Sequence, residues 1–302
     1  MTDTPTEAPR GLLVPLVTPF TADGEHVALD ALEALAHSLL DDGAIGLVAL
    51  GTTGEPATLD TAEKDAVVAV CARVCRDRAA SLIVGAGGND TRASVQALAA
   101  LADRPEIHAA LTTVPSFTRP SEAGVVAHFT RLAAHSPVPL IIYNIPYRTG
   151  LTLGVETLLR LADIPGVMGF KHAVGGVDQE TVELLAAERD DLAIWAGDDL
   201  YVSPMLALGA AGGILASAHL ATRHFAELIR AWHVVDADTA RPLGHALARL
   251  SVAVFSEPNP TVLKGVLHRQ GRIPSPAVRL PLLPAQAASV EAATACLAQF
   301  DK

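Results

Sequence analysis

Lysine is scarce in this chain. Of its 22 basic residues only Lys64, Lys171, Lys264 and Lys302 are lysines, and the rest are arginine. Aromatic residues fill only 4% of the 302 positions, so a core must be built from the aliphatic side chains of a 50% apolar composition. Cysteine is sparse as well: Cys71, Cys75 and Cys296 are too few, and odd in number, for a disulfide scaffold. Cys71 and Cys75 stand four apart in a helical pattern with no further ligands nearby, which predicts buried thiols rather than a metal site. No apolar run reaches the roughly 18 uncharged residues that a membrane span requires. No Lys/Arg cluster offsets the net charge of −11, and such a chain repels phosphate backbones, which argues against a nucleic-acid partner. The opening "MTDTPTEAPR" puts acids and prolines ahead of any apolar stretch, unlike a signal peptide, and a cytoplasmic location is expected.

What the chain does have is a repeating alternation. Eight short apolar runs recur: "LLVPLVT" from Leu12, "GLVAL" from Gly46, "SLIVGAG" from Ser81, "HAALTTV" from His108, "PLIIYN" from Pro139, "VMGFKHA" from Val167, "LAIWAG" from Leu192 and "GGILASA" from Gly212. Amphipathic helical stretches separate them. One opens on Asp60 with Glu63 three residues later, a capping-box pattern, and another opens on Ser121 in the same manner. Strand then helix, eight times over, predicts a (β/α)₈ TIM barrel rather than an open doubly wound sheet. Residues 1–10 read as an N-terminal tail and 11–233 as the barrel. Residues 234–302 read as a helical extension of two or three helices packed on it, with "PSPAVRLPLLP" as a proline-rich connection.

A barrel carries its chemistry at the C-terminal ends of its strands, and three such ends hold unusual residues. The second strand runs into "GTTGEPATL", where Gly51 and Gly54 bracket Thr52 and Thr53. Such a turn exposes backbone N–H groups suited to a carboxylate, or is an ordinary βα turn. The fifth strand ends in Tyr143, followed by Arg148, whose guanidinium fork can bind a carboxylate. The sixth ends in Lys171. An amine held in an apolar barrel loses its proton more readily, and the neutral amine forms Schiff bases with carbonyls; otherwise such a lysine snorkels outward. Its neighbour His172 reads as a packing residue.

The stretches "GTTGEPATL", "YNIPYRTG" and "GFKHAVGG" resemble the signatures of the dihydrodipicolinate synthase and N-acetylneuraminate lyase family, class I pyruvate-handling aldolases on a (β/α)₈ barrel. "VTPF", "GDD" and "EPNP" follow in the expected order, and the resemblance covers nearly the whole chain. It implies that Lys171 forms the imine with pyruvate, so that no cofactor or metal is required. It implies that Tyr143 shuttles protons, that Thr52 and Thr53 hold the pyruvate carboxylate, with Thr52 also in the proton relay, and that Gly197 and Ile214 line the keto-acid site. Arg148 matches the arginine that receives the carboxylate of aspartate semialdehyde, which favours the synthase branch. A small-molecule keto acid and an aldehyde are the implied partners, and a homo-oligomer, dimer or tetramer, the implied assembly.

The same resemblance makes the departures informative. Ser116 and Phe117 stand where the synthases carry a tyrosine pair, one member of which crosses to the neighbouring subunit to complete the relay. Phe117 cannot pass a proton. Val174 replaces a common Ser or Thr, and His172 a common glutamate. The positions of the lysine feedback site are occupied by Thr61, Lys64 and Ser116, so inhibition by lysine is not expected. The leading expectation is a 4-hydroxy-tetrahydrodipicolinate synthase-like lyase. The alternatives are an aldolase or dehydratase acting on a 2-keto-3-deoxy sugar acid or a 4-hydroxy-2-oxo acid, and a keto-acid-binding paralogue with little turnover.

Overall fold

The computed structural model describes residues 7–300. Its eight strands are β1 (Gly11–Pro15), β2 (Gly46–Ala49), β3 (Ser81–Gly85), β4 (Ile107–Thr113), β5 (Leu140–Asn144), β6 (Val167–His172), β7 (Ala193–Ala196) and β8 (Gly212–Ile214). They pair in sequence order, all parallel, and β8 returns to β1 to close the barrel. The eighth strand is shorter than the apolar run that predicts it: after Ile214 the chain leaves the sheet and tightens into a 3₁₀ turn at Ser217–His219.

The helices are α1 (Leu29–Asp41), α2 (Thr61–Asp77), α3 (Thr91–Ala99), α4 (Glu122–Ala133), the short α5 (Pro146–Thr149), α6 (Val155–Ala162), α7 (Gln179–Ala186), α8 (Val202–Ala207) and α9 (Thr222–His233). Three more follow: α10 (Ala237–Val254), α11 (Thr261–Arg269) and α12 (Ala287–Leu297). The capping box of α2 is complete, Asp60 accepting from the Glu63 amide and Glu63 from the Asp60 amide. The cap of α4 is simpler than expected. Ser121 accepts from the Gly124 amide, but glycine has no side chain to return the bond.

Two apolar layers result. Inside the barrel, alternate strand residues such as Leu13, Val48, Ile83 and Ile141 pack with Trp195. Between strands and helices lies the larger layer, which includes Cys71 and Cys75, and burial pushes both thiols up, Cys75 to about 12. Gly169 is required here: a Cβ would sit 2.7 Å from the Trp195 ring and 2.0 Å from the Ala193 carbonyl oxygen. That bulky indole, from β7, donates to the Pro9 carbonyl at 2.9 Å and packs over Gly169, two residues before Lys171 along β6. No helix among the described residues is long and apolar enough to cross a membrane.

Candidate active site

The register of the sheet brings the strand ends together. Tyr143 pairs with Lys171 across β5 and β6, and Lys171 with Trp195 across β6 and β7. Lys171 is 5% exposed and its Nζ lies 4.4 Å from the centroid of the Tyr143 ring. Burial lowers the Lys171 amine from the ordinary 10.5 to about 8, against the opposing pull of Asp199 and Asp198. Burial also drives the Tyr143 phenol well above its usual range, so it is a protonated donor at neutral pH.

A cavity of about 230 Å³ opens at this mouth. Lys171, Tyr143, Thr52, Thr53, Arg148, Gly197 and Ile214 all line it. The turn after β2 is a single 3₁₀ turn, Thr52–Gly54. Within it the amides of Gly54 and Glu55 donate to the Gly51 and Thr52 carbonyls. The amides of Thr52 and Thr53, at its start, have no acceptor in the turn and are the donors a bound anion can use. Gly197 is sterically obligatory: a Cβ there would stand 2.8 Å from the Ala173 Cβ and 2.9 Å from the Lys171 Cγ.

Phe117 is not part of this cavity. It is 92% exposed, at a φ of 64°.

Several lining residues were not singled out by sequence reasoning. Asp198 and Asp199 belong to the "GDD" stretch and fall directly after β7. Their place at a strand end was the available signal. Asp198 accepts from the Tyr147 hydroxyl at 2.9 Å and from the Gly175 amide at 2.7 Å, joining the loops after β5, β6 and β7. Asp199 is buried and accepts from the Ser217 amide at 2.5 Å. Burial raises its carboxyl to about 6, against that amide bond and Lys171. Ser251, Val252 and Phe255, in and just after α10, close one wall, and Asn259 another. Nothing in the local sequence of α10 marks it as lining a site, because its role depends on where the extension docks. His172 donates to or accepts from Thr181 at 2.9 Å, and burial lowers it to about 4, so it packs as a neutral ring. A larger cavity of about 820 Å³ adjoins the first and shares Thr52, Tyr143, Arg148 and Asn259 with it. Among the described residues, no three His, Cys, Asp or Glu side chains are grouped to hold a metal ion.

Comparison with known proteins decides the family. The sequence model described as the dihydrodipicolinate synthetase family matches residues 8–300. The chain belongs to the dihydrodipicolinate synthetase family. It is 39% identical over 286 residues to a 4-hydroxy-tetrahydrodipicolinate synthase of Moorella thermoacetica, spanning 95% of this chain and 96% of that one. A protein of the same name from Nitratidesulfovibrio vulgaris is 38% identical over 283 residues, 93% of this chain and 94% of the relative. Among solved structures, a chloride-inhibited dihydrodipicolinate synthase of Acinetobacter baumannii in complex with pyruvate superposes with a TM-score of 0.91 at 33% identity. That match covers 97% of this chain and 99% of the other. A monomeric dihydrodipicolinate synthase variant matches with a TM-score of 0.90 at 30% identity, covering 97% of each. Membership in the dihydrodipicolinate synthetase family makes this chain an enzyme of the Schiff-base lyase class.

Proposed function

We propose that the enzyme forms an imine between Lys171 and pyruvate and joins the derived enamine to aspartate semialdehyde, as a 4-hydroxy-tetrahydrodipicolinate synthase. The observation that carries this reading is the buried Lys171 amine, 4.4 Å from the Tyr143 ring in a cavity that also holds Thr52, Thr53 and Arg148. The neutral amine attacks the keto carbon. The carbinolamine hydroxyl leaves as water with a proton from the Tyr143 phenol, and the iminium then gives up a C3 proton to become the enamine. The iminium is itself the electron sink, so the reading invokes neither metal nor cofactor. The Thr52 and Thr53 amides receive the pyruvate carboxylate, Ile214 and Gly197 border it, and the Arg148 fork receives the carboxylate of the second substrate. The names of the relatives support the substrate pair.

The test is incubation with pyruvate and borohydride, followed by mass spectrometry of the peptide bearing Lys171, with Lys171→Ala as control. A reduced pyruvyl adduct on Lys171 is expected, and its absence refutes the reading. A second reading, an aldolase or dehydratase for a 4-hydroxy-2-oxo acid, is favoured by two observations. No hydroxyl stands at Phe117, and Leu200, Val252 and Phe255 give the cavity an apolar wall. Assaying condensation with aspartate semialdehyde against cleavage of hydroxy-oxo acids separates the two. A homo-oligomer is part of the proposal. It is supported by the large exposed side chain of Phe117, and sedimentation analysis measures the subunit number. Inhibition by L-lysine is not expected with Thr61, Lys64 and Ser116 in place.

A further inference from the structure

The second buried lysine lies outside the catalytic cavity. Lys264, on α11, has no exposed surface, and its Nζ donates to Glu55 Oε1 at 2.8 Å while resting 4.0 Å from the centroid of the Phe20 ring. Glu55 is the residue that ends the Thr52–Gly54 turn. Its backbone is left-handed, at a φ of 54°, a conformation that non-glycine residues adopt only when surroundings hold them there. Its other oxygen, Oε2, accepts from the Arg279 amide at 3.1 Å. Arg279 continues the attachment, pairing with Glu63 at 2.7 and 2.5 Å at the start of α2. The same turn is held at two more points, by Asn259 donating to Thr53 Oγ1 at 2.9 Å and by Thr18 donating to the Gly54 carbonyl at 2.7 Å. Three of these ties, from Lys264, Asn259 and Arg279, start in the C-terminal extension.

We infer that Lys264 and Glu55 are positioning residues: their buried ion pair fixes the turn whose Thr52 and Thr53 amides receive the substrate carboxylate, and so couples the C-terminal extension to keto-acid binding. The inference rests on the proposed keto-acid reading for its kinetic consequence, but not for its structural one. Without the pair, the left-handed Glu55 has no partner on α11 and the turn can relax away from the geometry the anion requires. Displacement of an anchoring group by about 1 Å costs up to 10²-fold.

The experiment compares the parent enzyme with two variants. Lys264→Met leaves the Glu55 carboxylate buried without a counter-charge. The double variant Lys264→Met/Glu55→Gln removes both charges and keeps a side-chain oxygen for the Arg279 amide, so it folds where the single variant fails. Hydrogen exchange reports on the turn without any ligand: the peptide spanning residues 50–56 is expected to exchange about tenfold faster in the folded double variant, with the strands of the barrel unchanged. The KM for pyruvate is expected to rise about tenfold or more while the kcat changes far less. Unchanged exchange over the turn, or an unchanged KM with exchange altered, overturns the inference. If the parent gives no borohydride adduct with pyruvate, the keto-acid reading fails, and the exchange measurement still decides whether the pair holds the turn.

Discussion

Lys171 and Lys264 are the same side chain in similar burial with opposite uses. Burial lowers both amines, but Lys264 meets a carboxylate at 2.8 Å that favours its charged form, whereas Lys171 faces a phenol ring. Lys171 at about 8 is mostly protonated at neutral pH. The rate of borohydride-trappable imine formation should therefore rise about tenfold per unit as pH increases below 8, and level off above it. The same shift has a stability consequence. The folded Lys171 titrates below its unfolded value of 10.5, so the unfolded chain holds the proton more tightly between about 8 and 10.5. Stability from this group rises with pH across that window, and the penalty is complete below it. Lys171→Met should thus raise the melting temperature at pH 7, by the equivalent of roughly 1–3 kcal/mol, and the gain should vanish above pH 10.5. Tyr143→Phe should leave the fold intact and slow imine formation by a factor of about 10² to 10⁴, read by quenched-flow trapping. Arg148→Lys keeps the charge and loses the fork, so it should raise the KM for aspartate semialdehyde with little change in that for pyruvate.

Elements reach the site because the strands end at one mouth: Tyr143 and Lys171 stand one residue before the ends of β5 and β6, and Thr52 and Gly197 follow β2 and β7. The crowding there is severe at Gly197, where β7 ends beside Lys171. Gly197→Ala places a methyl group 2.8 Å from Ala173 and 2.9 Å from the Lys171 stem. A cost of about 1–3 kcal/mol is expected from overpacking, together with slower trapping as the amine is displaced; thermal denaturation and trapping kinetics check both. The alternation of apolar runs and amphipathic stretches was readable because parallel barrel strands are buried on both faces, so their residues are continuously apolar while the helices keep a 3.6-residue period. The loops were less readable. Asp198 ties together segments beginning at Tyr147 and Gly175 through single hydrogen bonds, and no spacing in the chain encodes that meeting.

At the scale of the molecule, the extension after His233 is part of the site and of the core. Leu247, Leu250, Val254, Val262, Leu263, Val266 and Leu267 are all buried, and α10 and α11 carry Ser251, Val252 and Lys264. A chain ending at His233 should therefore lose cooperative unfolding, seen as a broad, shallow thermal transition by circular dichroism. It loses both the apolar burial and the partner of Glu55, and leaving one half of a buried ion pair costs roughly 3–5 kcal/mol by itself.

The sequence by itself determined the barrel and brought Lys171, Tyr143, Thr52, Thr53 and Arg148 to notice near its strand ends, where they line one cavity. Hydrophobic period is a local property, and "GTTGEPATL", "YNIPYRTG" and "GFKHAVGG" each sit within one βα unit. Only the tertiary structure decided that Phe117 is exposed and outside the cavity, that Phe255 walls it and that Lys264 reaches Glu55 across 209 positions of the chain. Contacts of that separation depend on how the extension docks against the barrel, which is set by packing and charge pairing between distant surfaces and not by any neighbourhood in the chain.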